Sequence, residues 1–195
     1  MTDQELKDLV ASLALAQAET ARQIDKVGKQ IGDLGNKFGT FTEGMAFPSM
    51  NKVLRERFGM TDVAPGLNFH RSGEAIEIDV LGYDSTGERK EAYVVEVKSR
   101  LRSRDLNQLR ATIAKLPRFF SPVRDCQIYG IIAAVDVPDE LAAKVLKAGF
   151  YLAHINDEIF KLQVPRNFQP KAFGPAAKSN GHHNGHANGK PKKKK

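Results

Sequence analysis

The stretch from Glu74 to Arg104, EAIEIDVLGYDSTGERKEAYVVEVKSRLRSR, decides the fold. Ile76, Ile78 and Val80 alternate with Glu77 and Asp79, and Val95 and Val97 alternate with Glu96 and Lys98. A period of two predicts strands, each with one apolar and one charged face. Between them, Asp84-Ser85-Thr86-Gly87 is turn chemistry, so the two runs read as a hairpin. Folding symmetrically about Gly87 and Glu88 sets Asp79 opposite Glu96 and Glu77 opposite Lys98. Like charges facing each other across a strand pair are unfavourable. A divalent cation between Asp79 and Glu96, with the Lys98 ammonium beside it, accounts for the pair.

Asp79, sixteen intervening residues and then Glu96-Val97-Lys98 resemble the D…ExK signature of the PD-(D/E)XK nuclease superfamily, the restriction-endonuclease-like fold. Glu43 lies on a preceding helix, where members of that superfamily often carry another acid. The segments TEGMAFPSMNKVLRERFG, GEAIEIDVLG and VVEVKSRLR are similar to a bacterial and archaeal branch in which a coiled coil precedes the nuclease-like domain. The resemblance covers roughly residues 36 to 165. One departure is Ile78, where the family name carries a proline. The resemblance implies Mg²⁺ or Mn²⁺ held by Asp79, Glu96, the Val97 carbonyl and Glu43, with Glu43, Asp79, Glu96 and Lys98 catalytic. It also implies hydrolysis of phosphodiester bonds in nucleic acid, DNA above all. For Glu43 alone the plain alternative is a solvated helix charge. For the remainder it is a cross-strand Glu77–Lys98 ion pair beside solvated edge carboxylates.

The surrounding chain suits that reading. The formal charge of +7 is carried by the last 25 residues, where seven lysines stand without an acid, so residues 1 to 170 are formally neutral. Within them, Lys98 to Arg124 holds eight cations against the one acid Asp105. Such a local positive field is the footprint of a polyanion-binding site, and Arg100, Arg102, Arg104 and Arg110 are the candidate phosphate contacts. No apolar run approaches the roughly 18 residues of a membrane helix. The polar, acidic start MTDQELKDLV lacks signal-peptide character, so a soluble cytoplasmic protein is expected. Cys126, in the apolar run CQIYGIIAAV, reads as a buried inert thiol rather than a nucleophile.

In chain order, mostly apolar residues fall at 6, 10, 13, 17, 20, 24, 27, 31, 34, 38, 41 and 45, alternating steps of four and three. Nearly six heptads predict a coiled coil over residues 1 to 40, with Val10, Gln17, Ile24, Ile31, Phe38 and Met45 at a and Leu6, Leu13, Thr20, Val27, Leu34 and Phe41 at d. A homodimer or higher homo-oligomer through residues 6–45 follows. The alternative is a helix lying on its own domain. Gly28, Gly32, Gly35 and Gly39 lie off the seam and suggest a flexible joint.

A helix continues or restarts through Thr42 to Arg57, with Phe47, Met50, Val53, Leu54 and Phe58 as its core stripe and Pro48 as a kink. A short strand is expected at Leu67 to Arg71. After the hairpin comes a helix from Ser103 to about Pro117, whose Gln108 and Arg110 lie off the apolar stripe. Then follow a doubly covered strand at Cys126 to Val135, a helix through Lys147, and strands at Tyr151 to Ile155 and Ile159 to Val164. This order predicts an α/β fold, a mixed sheet flanked by helices over residues 41–167. From Phe168 to Lys195 the composition predicts a disordered basic tail, in which His182, His183 and His186 read as solvated. Two other classes remain open, a noncatalytic DNA-binding module of the same fold and a coiled-coil scaffold.

Overall fold

The computed structural model describes residues 2–156 and 159–174. Most of residues 168–195, assigned to a tail, including the three histidines and the terminal lysines, lie outside the described residues. The chain is α/β. Helix α1, Asp3–Glu56, precedes strands β1 (Asp62–Arg71), β2 (Glu74–Tyr83) and β3 (Glu91–Arg100). Helix α2 (Ser103–Phe119), β4 (Gln127–Asp136), α3 (Asp139–Lys147), β5 (Tyr151–Asn156) and β6 (Ile159–Leu162) follow. The six strands form one mixed sheet in sequence order, with β3–β4 and β4–β5 parallel and the other pairs antiparallel.

The apolar residues divide between the sheet's two faces. On one, Ala92, Val94, Ile128 and Ile132 pack with Leu106, Leu109, Ile113 and Leu116 of α2 and Leu141 and Val145 of α3. On the other, Tyr93, Val95, Val97, Ile131 and Ala133 pack with Ala46, Met50 and Leu54 of α1. Strand β4 is covered on both sides, which is why its sequence is an almost continuous apolar run. Where α2 and β5 press on it the space is tight. A Cβ at Gly130 would stand 2.5 Å from Phe150 Cδ1.

Helix α1 starts on a capping box, in which Thr2 Oγ1 accepts from the Glu5 amide at 3.3 Å and Glu5 Oε2 accepts from the Thr2 amide at 2.7 Å. It then runs 54 residues without interruption. The off-seam glycines do not break it, which corrects the expected joint, and Pro48 lies within it. Pro48 removes one hydrogen bond, a cost of about 3 kcal/mol in an isolated helix. Burial of Ala46, Met50 and Leu54 on either side of it offsets that cost. Met50, Leu54 and Phe58 of the expected stripe are buried, Phe47 and Val53 half-buried, and Ala46 joins them.

Strand β1 is longer than expected and passes through Pro65-Gly66. Pro65 is tolerated because β1 is a sheet edge, where the missing amide leaves no ladder bond unmade. The C-terminal boundary also shifts. Phe173 exchanges backbone hydrogen bonds with Ile128 at 2.7 Å, and Phe168 packs edge-on against Tyr151. Residues 168–174, assigned to the tail from composition, are therefore part of the packed unit, because two aromatic side chains anchor an otherwise polar segment. Cys126 is a buried free thiol, as expected. No helix among the described residues is long and apolar enough to cross a membrane.

Gly130→Ala is expected to lower stability by about 1–3 kcal/mol, because Phe150 and Leu109 must both give way to the added methyl. Denaturant unfolding of the variant beside the parent checks it.

Candidate active site

The hairpin register holds for four residue pairs and then stops. Tyr83 faces Ala92, Gly82 faces Tyr93, Leu81 faces Val94 and Val80 faces Val95. Continued by one pair it would set Asp79 against Glu96, as the sequence suggests, but the ladder ends there. Instead Asp79 Oδ2 accepts the Val97 amide at 2.6 Å. A side chain thereby closes the gap between the two parting strands in place of backbone.

The divergence has a cause in β1 and β2. Leu81 packs on the α2 face and Val80 on the α1 face, as alternation requires. Strict alternation would put Ile78 beside Val80, yet Ile78 and Ile76 join the α2 face. The facing strand slips with them, Val63 lying on the α1 face and Leu67 and Phe69 on the α2 face. Between Val63 and Leu67, Gly66 has φ +59°, a left-handed conformation that a residue with a Cβ adopts at a cost of about 1–2 kcal/mol. Pro65 pairs with Val80 and Leu67 with Ile78, so Gly66 lies across from Asp79. The expected apolar face of Ile76, Ile78 and Val80 is thus corrected. The ribbon turns over at Gly66 and Asp79, which frees the Asp79 carboxylate from the ladder.

Strand β3 keeps strict alternation, so Glu96 and Lys98 share one face. Glu96 is 2% exposed, and its Oε1 accepts Lys98 Nζ at 2.6 Å and Gln108 Nε2 at 2.8 Å. The expected Glu77–Lys98 pairing is not formed. Glu77 faces Asn68 on β1, and Lys98 holds Glu96. Gln108, off the apolar stripe of α2, does reach the site. Asp105, which the sequence offers only as one acid among cations, is buried and accepts the Arg102 amide at 2.7 Å at the start of α2. Its place in the first helical turn was the available signal.

The electrostatics follow from this crowding. Burial, reinforced by the Asp79 charge and only partly relieved by Lys98, pushes the Glu96 carboxyl up to about 7. Burial also raises Asp79, against the Val97 amide and Lys98, which lower it. Glu43 stands one turn before Ala46 on the face of α1 that meets the sheet. Its carboxyl is raised by partial burial and by the charges of Asp79 and Glu77. For Lys98, burial alone would depress the ammonium, but the hydrogen bond and charge of Glu96, with Asp79 and Asp105 behind them, raise it overall. Glu43, Asp79 and Glu96 therefore each feel the Lys98 charge, and Glu43 and Glu96 feel that of Asp79. Among the described residues, however, no three acidic, histidine or cysteine side chains converge closely enough to hold a metal ion.

The cations around the site differ in how free they are. Arg100 is 3.2 Å from Asp136, and the Arg110 guanidinium lies over the Phe150 ring at 5.9 Å. Arg104 and Arg102, at the start of α2, are exposed, Arg104 with only a loose 3.8 Å contact to Asp105.

Glu96 yields a prediction from linkage. Its folded pKa of about 7 exceeds the ordinary 4.5, so between those values the folded state binds more protons than the unfolded. Stability is then greatest below about pH 4.5 for this group and is lost as pH rises through 7. The metal-free protein is expected to lose a contribution on the order of 3 kcal/mol across that window. Glu96→Gln should flatten the loss, as measured by Tm from pH 5 to 8.

No family model matches the chain, and no curated protein matches it. Solved structures align with part of the chain. EndoMS in a complex with double-stranded DNA is 18% identical over 57% of this chain and 45% of its own, with a TM-score of 0.36. A repair endonuclease from Pyrococcus abyssi is 19% identical over 60% of this chain and 47% of its own, at 0.31. Protein VC1899 from Vibrio cholerae is 13% identical over 57% of this chain and 29% of its own, at 0.41. The chain thus spans less than half the length of each of these structures.

Proposed function

We propose that the chain is a metal-dependent nuclease that hydrolyses phosphodiester bonds in DNA. The observation that carries this reading is Glu96, raised by burial and further by its neighbour Asp79, and held by Lys98 at the point where β2 and β3 part. Carboxylates whose charged forms burial and one another disfavour are poised for a cation that neither surrounding apolar face supplies. The donors fit a hard ion such as Mg²⁺ or Mn²⁺, being oxygen throughout. Asp79, Glu96 and the Val97 carbonyl would hold it, with Glu43 direct or through water. When bound, the ion supplies Lewis-acid polarisation of a phosphoryl oxygen and a more acidic attacking water.

The chain's own groups do the rest. The Val97 amide fixes one Asp79 oxygen, which orients the other. Gln108 fixes Glu96 in the same way from α2. Lys98, raised and therefore an ammonium at neutral pH, positions the attacking water or the scissile phosphate. Arg102 and Arg104 stand exposed at the start of α2 to receive the flanking phosphates. A second reading, a noncatalytic DNA-binding module, is favoured by one observation: the described residues contain no three-ligand cluster.

Labelled duplex, single-stranded and branched DNA, with RNA beside them, should be incubated with Mg²⁺ or Mn²⁺ and with EDTA. Cleavage requiring the ion, and reduced roughly 10²-fold or more by Asp79→Asn, Glu96→Gln or Lys98→Met, is expected. Cleavage that persists in EDTA, or in all three variants, overturns the assignment. Binding without cleavage under every condition selects the module instead.

For the phosphate contacts, Arg102→Gln and Arg104→Gln should each flatten the slope of log affinity against log salt by about one unit. Arg100→Gln and Arg110→Gln should change it less, since Asp136 and Phe150 already engage those side chains.

A further inference from the structure

Among the described residues, helix α1 is exposed from its start to Phe41, with Gly39 alone partly covered. Its nine large apolar seam residues between Leu6 and Phe41 are each 45–68% exposed. The stripe runs the length of the exposed part of the helix, a long contiguous apolar face of the kind that marks an interaction surface. Such a helix does not stand alone in water, where packing of an apolar face supplies most helical stability and each interior glycine costs about 1 kcal/mol. The alternative of a helix folded onto its own domain is not what the structure shows, since residues 2–37 are exposed.

The polar residues of the seam identify the partner. Gln17 and Thr20 are its only polar members and are neighbours in it. In a parallel, in-register pair Gln17 meets Gln17 and Thr20 meets Thr20, while each apolar layer meets its like. Full antiparallel overlap would set Gln17 against Leu34 and Thr20 against Ile31, burying polar groups against hydrocarbon. An antiparallel pair shifted to match Gln17 with Thr20 overlaps only Leu6 to Ile31 and leaves Leu34, Phe38 and Phe41 in water. Of these two-stranded pairings, the parallel in-register one covers the whole stripe without a mismatched layer.

We infer that the chain forms a parallel, in-register homodimer through α1 from Leu6 to Met45. The seam does not compete with the helix's other packing. At 3.6 residues per turn, the stripe Glu43, Ala46, Met50 and Leu54 lies roughly 140° around the helix from it. The same helix therefore holds its own sheet on one side and a second copy on another. Both sheets, and both candidate sites, emerge at one end of the rod. The inference is independent of the proposed nuclease activity.

Light scattering and cysteine cross-linking of the full chain test it. The single native cysteine, Cys126, is buried, so an added thiol reports alone. The parent should show twice the chain mass at micromolar concentration. Val10→Cys should oxidise mostly to a covalent dimer, because parallel register puts the two positions side by side. Full antiparallel overlap would instead link Val10→Cys to Phe41→Cys in a mixture of the two variants. A monomeric, trimeric or tetrameric mass, or the mixed cross-link in place of the Val10→Cys dimer, overturns the inference.

Discussion

The hydrogen bond from the Val97 amide to Asp79 is the contact on which the site depends. Two antiparallel strands that part would ordinarily leave unpaired amides at the fork, a cost that grows with burial. Here one of those amides is satisfied by the side chain that the fork itself releases. A carboxylate accepting a backbone amide makes a stronger bond than a neutral acceptor would. The strands can therefore diverge inside the sheet without an orphaned donor at Val97, and the divergence opens a place for Glu96 and Lys98 between the sheet and α2.

That place is costly to build. Glu96 is nearly inaccessible to water, and its two hydrogen bonds from Lys98 and Gln108 both fall on the same oxygen. A carboxylate buried this deeply is a stability defect unless it serves another end. Its neighbours deepen the defect, since Asp79 and Asp105 both push its carboxyl upward. What bears the cost is the two-faced core, in which β4 is covered by helices on one side and by α1 on the other. Ile78, next to Asp79 in the chain, is fully buried in this core on the α2 side.

Much of this was legible in the sequence, for a physical reason in each case. Period two in Val95 to Lys98 gave β3 because that strand keeps its alternation throughout. The near-continuous run of β4 announced a doubly covered strand. The register was right wherever backbone alone sets it, from Tyr83 to Val80. It failed at Asp79 because the overturning of the ribbon is set by Gly66, a left-handed glycine on another strand. Alternating residues cannot reveal a slip that a neighbouring strand imposes. The placing of Glu77 opposite Lys98 extrapolates that register past its end, and Lys98 holds Glu96 instead. The glycines of α1 misled in the opposite sense. Propensity argues for a joint, but a capped helix anchored at its far end by Met50 and Leu54 has no need to break at exposed positions that cost about 1 kcal/mol each.

The continuity of α1 matters because Glu43 stands near the end of its free part and at the start of its packed part. A broken helix would let the segment carrying Glu43 swing relative to the sheet, and a carboxylate on a mobile arm would keep neither the partial burial nor the nearness to Asp79 that raise it. An unbroken one fixes the Glu43 side chain relative to Ala46 and Met50, both fully buried. Whatever constrains the exposed forty residues is then transmitted as rotation and tilt of a rigid rod to the acid beside the site. The heptad stripe and the carboxylates lie far apart in sequence, yet one uninterrupted ladder of helical hydrogen bonds joins them.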